Sequence, residues 1–287
     1  MIIPKIGHLL TKLDKLLDRY VVNGQAATEF EASHASLWDG ARKTLRPIKR
    51  PVRIEQDGLI GIEPIKQQVV QNTTRFLEGK KANNVLLWGE RGTGKSSLVK
   101  SLLLTFEGTD LRIIQVYKHD ILTVQGLYDL LAREPYWFIL FIDDLSFEET
   151  QTDYQEMKTI MDNGLEEVPE NVLFYATSNR KHLVPTKFSD NESDEVRPSD
   201  TIEEKVSLVD RFGLRLGFYH FSQDTYLAIV ASYAAKYGVS MDKEQLDKQA
   251  LQWAQGAGGR NGRIAEQFVR TLQGEEAVMS DKPKNGS

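Results

Sequence analysis

Residues Gly89-Glu90-Arg91-Gly92-Thr93-Gly94-Lys95-Ser96 match the pattern G-x-x-x-x-G-K-[ST], directly after the apolar run Val85 to Trp88 and directly before a helical segment beginning near Ser96. That placement narrows the fold sharply. A strand must deliver the loop and a helix must stand behind it. The glycines let backbone N–H groups turn inward, and the helix end adds its positive partial charge. Such a concavity suits a polyphosphate. Lys95 is placed to reach the β and γ phosphates of ATP and the Ser96 hydroxyl to ligate magnesium. The nucleotide-contacting set is therefore Gly89, Glu90, Arg91, Gly92, Thr93, Gly94, Lys95 and Ser96, with Ser97 next to it.

A second signal lies downstream. Phe138-Ile139-Leu140-Phe141-Ile142 is an apolar strand that ends in Asp143-Asp144, the arrangement of a Walker B element. Two adjacent carboxylates at a buried strand end are costly without a cation. The expected division of work gives magnesium to Asp143, through water, and gives Asp144 the attacking water to orient or deprotonate. The plainer alternative is an aspartate pair capping the next turn. Glu148 and Glu149 follow closely as substitute bases or as solvated loop residues.

The remainder of the chain supplies the scaffold. Val85 to Trp88, Arg112 to Tyr117, Trp137 to Ile142 and Val172 to Thr177 are short and almost wholly apolar, as strands buried on both faces are. Their spacing leaves room for crossover helices, so an α/β fold with a parallel sheet follows. After Phe221 three helical segments are predicted: Asp224 to Tyr237 closed by Gly238, Asp242 to Gln255 closed by glycines, and Arg263 to Leu272 closed by Gly274. Upstream, Leu9, Leu10, Leu13, Leu16, Leu17 and Tyr20 predict an amphipathic helix. Arg42, Lys43, Arg46, Lys49, Arg50 and Arg53, interrupted by Pro47 and Pro51, read as an extended linker that stays solvated or touches phosphates. The expected division is 1–54 N-terminal helical extension and basic linker, 55–220 nucleotide-binding core, 221–275 helical lid and 276–287 disordered tail. Ser189 to Asp200, with five acidic residues and Pro198, reads as a mobile insertion.

Beyond the two phosphate-site elements, the chain resembles the AAA+ ATPases. Leu59-Ile60-Gly61 precedes the loop where those proteins line the adenine pocket, which implies base contacts from Ile60 and Gly61. Asn179, ending Tyr175-Ala176-Thr177-Ser178-Asn179, stands where the resemblance implies a sensor 1 residue. Arg211, in Asp210-Arg211-Phe212-Gly213, looks like the arginine finger that reaches a neighbouring subunit's nucleotide. Its plainer roles are pairing with Asp210 or stacking on Phe212. In Gly258-Gly259-Arg260-Asn261-Gly262-Arg263 either arginine suits sensor 2, with Arg260 preferred. The runs Asn83 to Trp88, Asp143 to Phe147 and Asp210 to Leu214 are together similar to a bacterial group of single-module predicted AAA+ ATPases catalogued only as a domain of unknown function. The resemblance spans roughly residues 55 to 275. It implies a P-loop AAA+ core with a five-stranded parallel sheet and a small all-helical lid. One departure is Asp144, where most AAA+ proteins carry glutamate, and it implies slow hydrolysis.

Composition bounds the function classes. Among 287 residues there is no cysteine, which excludes disulfides, thiolate metal sites and thiol nucleophiles. No run approaches the roughly 18 apolar residues of a membrane span, and the first residues lack a leader pattern, so a cytoplasmic protein is expected. The net charge of −5 argues against sequence-independent nucleic-acid binding over the whole surface. The function so read is an ATPase with ATP/ADP and Mg2+ as ligands. It forms a ring or filament of its own copies when ATP-bound and drives a switch on an unidentified protein partner. The alternatives are a nucleotide-gated module with negligible turnover and a nucleic-acid loader. The segment Lys118 to Leu131 lacks an aromatic-apolar-glycine loop, which argues against a threading unfoldase.

Overall fold

The computed structural model describes residues 30–31, 33–145, 157–161, 167–179 and 207–280. The amphipathic segment 9–20, Glu148, Glu149 and the acidic stretch 189–200 lie outside the described residues.

Alternation along the strands builds two cores at once. In β3 (Val85–Gly89), β4 (Leu111–Gln115), β5 (Trp137–Ile142) and β6 (Val172–Ser178) successive residues point to opposite faces. Leu86, Ile114, Leu140, Ile142 and Phe174 enter one apolar layer. Val85, Leu87, Ile113, Ile139, Phe141 and Tyr175 enter the other. Burial on both faces is why these segments read as continuous apolar runs. Helix α1 (Glu63–Leu77) and helix α2 (Lys95–Thr105) cover the second face. Tyr175 pins α1 there, its hydroxyl meeting Asn72 Nδ2 at 3.0 Å and Thr73 Oγ1 at 2.8 Å, while burial pushes its pKa up to about 12. The short α3 (Gln125–Leu131) packs Leu127, Tyr128 and Leu131 into the first face.

The sheet has seven strands in the order β2-β1-β4-β5-β6-β3-β7, all parallel except the antiparallel β1–β2 pair. This corrects the expected five-stranded parallel sheet. One strand without an apolar-run signal is β7 (Leu214–Phe218), an edge strand that buries Leu216 and Phe218 but exposes Arg215 between them. The other two, β1 (Ala35–Asp39) and β2 (Thr44–Pro47), lie in the stretch read as extension and linker. Pro47 did not prevent β2, because it ends an edge strand, where a missing N–H costs little. One buried side chain, Leu45, opposite Trp38, suffices to seat it.

The last three helices form a unit with its own core of Tyr226, Ile229, Val230, Leu246, Ala250, Ala265, Phe268 and Val269. Ser222 caps α4 (Gln223–Tyr237) by accepting from Thr225 N, and Gly238 at φ 70° closes it. Asp242 caps α5 (Lys243–Gly256), and Asn261 Oδ1 accepts from Ile264 N at the start of α6 (Gly262–Ser280). Helix α6 does not stop at Gly274. It continues to Ser280, so residues 276–280, expected in a disordered tail, are helical. An interior glycine costs only about 1 kcal/mol and ends a helix only when the chain turns left-handed there.

Candidate active site

Strand order places the chemistry. In parallel strands the C-terminal ends share one edge, and β6 lies between β5 and β3. The glycine loop after β3 and the aspartates after β5 therefore flank β6 at strand spacing, about 4.8 Å to each side.

The loop backbone needs its glycines. Gly89, Gly92 and Gly94 have φ of 119°, 73° and 97°, values that strain a residue with a Cβ. At Gly89 a Cβ would also strike the Phe218 carbonyl, which accepts from Glu90 N at 2.9 Å. Lys95 opens α2, and its buried ammonium donates to Gly89 O at 2.9 Å and Glu90 O at 2.6 Å. Burial pushes its pKa down to about 8, against the opposite pull of Asp144, Glu90 and Asp143. A cation withdrawn from water and held on neutral carbonyls is poised for an anion.

Across β6 a chain of hydrogen bonds ties three elements together. Ser96 Oγ on α2 donates to Asp143 Oδ1 at 2.5 Å, and Thr177 Oγ1 on β6 donates to the same oxygen at 2.7 Å. Lys100 Nζ, one turn beyond Ser96, stands 3.6 Å from Asp143 Oδ2. Asp144 has a left-handed backbone, φ 55°, held by its N–H donating to Thr177 Oγ1 at 2.9 Å and by Leu145 N donating to Thr177 O at 2.7 Å. The second carboxylate has a different partner from the first, since Asn179 Nδ2 donates to its Oδ1 at 2.5 Å. Thr177 and Lys100 were missed in the sequence. Thr177 is two residues before Asn179, on the same strand face, and Lys100 is four after Ser96, on the same helix face.

These groups form one wall of a cavity of about 580 Å³. Arg91 through Ser97 line its phosphate-loop end together with Asp143, Asp144, Thr177 and Asn179. Leu59, Ile60, Ile62, Phe221, Ile229 and Tyr233 make an apolar end, and Gly262, Arg263 and Glu266 of α6 close the side. The helical unit touches the loop directly, since Gly262 N donates to Gly92 O at 2.8 Å. A Cβ at Gly92 would strike the Asn261 side chain.

Several expected residues stand elsewhere. Gly61, at φ 82°, is not in the wall; its N–H donates to Glu63 Oε1, and its bare Cα lets the chain pass Thr225 of α4. Gly89 and Glu90 lie behind the loop, and the Glu90 carboxylate meets His220 Nε2 at 3.0 Å. Arg260 precedes α6 and donates to Gln223 at 3.4 Å, whereas Arg263, in the first turn, is in the wall. Arg211 is exposed and outside the wall; its carbonyl accepts from Asn84 Nδ2 at 3.2 Å, just before β3 begins. Asp210 pairs with Arg215 at 3.1 Å, and Phe212 is buried in the core.

Magnesium fits this donor set. Among the described residues no three histidines or carboxylates gather to form a protein cage. One hydroxyl and one carboxylate, Ser96 and Asp143, are what this ion takes from a protein when phosphate oxygens and water complete its octahedron.

No curated protein matches the chain in sequence. In structure it is similar to Thermotoga maritima RuvB, a Holliday junction branch migration motor, with TM-score 0.56 and 16% identity over 82% of this chain and 69% of that one. It is also similar to the FIGL-1 AAA domain in complex with ADP, with TM-score 0.52 and 15% identity over 80% of this chain and 76% of that one. At such identities the likeness establishes the fold alone, which is that of AAA+ modules. With residues 31–276 matched, the chain belongs to the family described as Protein of unknown function (DUF815).

Proposed function

We propose that this protein binds ATP with magnesium between the phosphate loop and the helical unit and hydrolyses it to ADP and phosphate, switching its conformation to act on a macromolecular partner. The hydrogen-bonded chain Ser96–Asp143–Thr177–Asp144–Asn179 carries this reading, because it couples a metal-ligand pair to a separately aimed carboxylate.

The loop N–H groups and Lys95 take the β and γ phosphates, and the apolar end formed by Ile60, Phe221, Ile229 and Tyr233 takes the base. Ser96 and Asp143 hold magnesium, which when bound neutralises charge on the phosphate oxygens. Asp144, oriented by Asn179, accepts a proton from the water whose oxygen bonds to the γ phosphorus. The bond from that phosphorus to the β–γ bridging oxygen breaks, and ADP leaves with that oxygen. Residues 221–275 act as a lid through Gly262 and Arg263. An arginine in a helix's first turn opposes the helix dipole, and a phosphate beside it removes that conflict. Arg263→Ala should therefore weaken ATP binding about tenfold, the loss of one charge-assisted hydrogen bond. Arg260→Ala should leave it within about twofold. Calorimetric titration of both variants tests the assignment, and equal effects would sink it.

The test of the whole reading is a contrast between the two aspartates. Asp144→Asn is expected to keep ATP affinity while phosphate release falls about a hundredfold, the lower range for a lost general base. Asp143→Asn is expected to weaken only the magnesium-dependent part of binding, matching the parent protein in excess chelator. If Asp144→Asn turns over like the parent, the base lies elsewhere. If the parent binds ATP yet releases no phosphate, the protein is a nucleotide-gated module, a reading the shorter carboxylate at 144 also favours.

A further inference from the structure

The nucleotide site leaves the opposite edge of the sheet unexplained. Residues 42–53 hold six basic and no acidic side chains, in a chain whose net charge is −5. The segment is ordered along its length: Leu45 is buried, Ile48 N donates to Ala35 O at 2.8 Å, and Arg53 makes a two-pronged pair with Glu107 at 2.9 and 2.8 Å. Its backbone therefore loses little freedom on meeting a ligand.

Two of the six are already used. Arg42 pairs with Asp39 at 3.3 Å and Arg53 with Glu107. Lys43, Arg46, Lys49 and Arg50 are exposed and have no carboxylate within salt-bridge distance among the described residues. Lys43 stands in the hairpin turn at φ 52°, and Arg46 points to the face opposite buried Leu45. At about 3.3 Å per extended residue, the row from Lys43 to Arg50 spans roughly 20 Å. Positive charge is thus gathered in a narrow row against the sign of the whole chain. Strand β2 is the outermost strand, at the far end of the sheet order from β3 and its phosphate loop.

We propose that this edge docks the phosphate backbone of duplex nucleic acid. A row of exposed cations about 20 Å long on an ordered backbone matches a polyanion whose phosphates recur every ~3.4 Å along each strand. Residues 42–53 include no aromatic side chain on which an unpaired base would stack, which favours the duplex over a single strand. An anionic bilayer fits less well, because extended chain broken by Pro47 and Pro51 has no apolar helix face to insert and only Val52 offers an exposed large aliphatic group.

The test uses the full chain and a labelled duplex of about 20 base pairs, two helical turns. Fluorescence anisotropy between about 50 and 200 mM salt should give a log–log slope near −3 to −4, for four phosphates neutralised. Joint replacement of Lys43, Arg46, Lys49 and Arg50 by alanine should remove most of that slope and weaken binding at least about a hundredfold at the lowest salt. Arg46→Ala and Lys49→Ala singly, exposed changes that leave the fold alone, should each flatten the slope by about one. A parallel ATP titration should be unchanged in every variant, so failure here and failure of the ATPase reading are seen separately. Absence of duplex binding by the parent, or equal binding by parent and variants, would overturn the proposal. So would capture by phosphatidylserine vesicles without capture by the duplex.

Discussion

Lys95→Ala should bind ATP about a thousandfold more weakly than the parent protein. Truncating one partner of a buried charge pair costs roughly 2–5 kcal/mol, and each 1.4 kcal/mol is tenfold in affinity. The upper part of that range applies because the ammonium is already buried, with its pKa pushed down to about 8, so its desolvation precedes the ligand. The substitution also strips the Gly89 and Glu90 carbonyls of a donor, which threatens the loop itself. Lys95→Met keeps the packed stem and is the companion variant. Titration with a labelled nucleotide, beside thermal melts proving that both variants fold, is the measurement. Affinity within a few-fold of the parent in either folded variant would remove the phosphate site from this loop.

Arg211→Ala should bind ATP normally and hydrolyse it about a thousandfold more slowly, the worth of a guanidinium brought to the γ phosphate from a neighbour. The structure gives the reason to look to a neighbour. Arg211 precedes β7, and β7 runs parallel to β3 with Val85 opposite Leu214. The arginine therefore sits at the N-terminal edge of the sheet, a strand length of about 16 Å from the loop that follows Gly89. It is exposed and absent from the cavity wall. Specific activity should rise with protein concentration. Mixing Arg211→Ala with Lys95→Ala, each nearly inactive, should restore part of the activity, because the first keeps a working loop and the second can lend its arginine. If co-assembled mixtures stay inactive, Arg211 is not a trans-acting finger and a local structural role is the better account.

What the sequence could disclose depended on how local the physics was. The glycine loop and Asp143-Asp144 are contiguous, so spacing alone exposed them. The central strands were legible because burial on both faces leaves no polar position. Strand β2 was hidden by the opposite circumstance, because an edge strand needs only Leu45 buried and leaves Arg46 free to face outward, whereas β1 is buried at Ala35, Ser36, Leu37 and Trp38 but is too short and too rich in small residues to read as an apolar run. The difference in placement between Arg260 and Arg263 was not legible, because it depends on where α6 begins, at Gly262, which the fold sets and the local sequence does not. Arg112 shows a further limit. It was read as the start of a strand, yet it is buried, donating to Phe30 O at 2.7 Å with Tyr136 beneath its guanidinium at 4.0 Å. Phe30 and Tyr136 lie far from it in sequence, and no pattern near residue 112 announces them.

The left-handed backbone of Asp144 bears on which side chains the position can accept. Aspartate and asparagine enter that region readily, because their short polar groups bond locally, whereas longer side chains pay about 1–2 kcal/mol. The missing methylene and the unusual φ are then one circumstance: a residue whose own N–H, like that of Leu145 after it, is tied to Thr177 in this geometry selects the shorter acid. Asparagine is accordingly the gentlest lesion available at 144. It removes the charge and leaves the conformational preference intact, so a loss of turnover in that variant reports on chemistry rather than on a shifted chain.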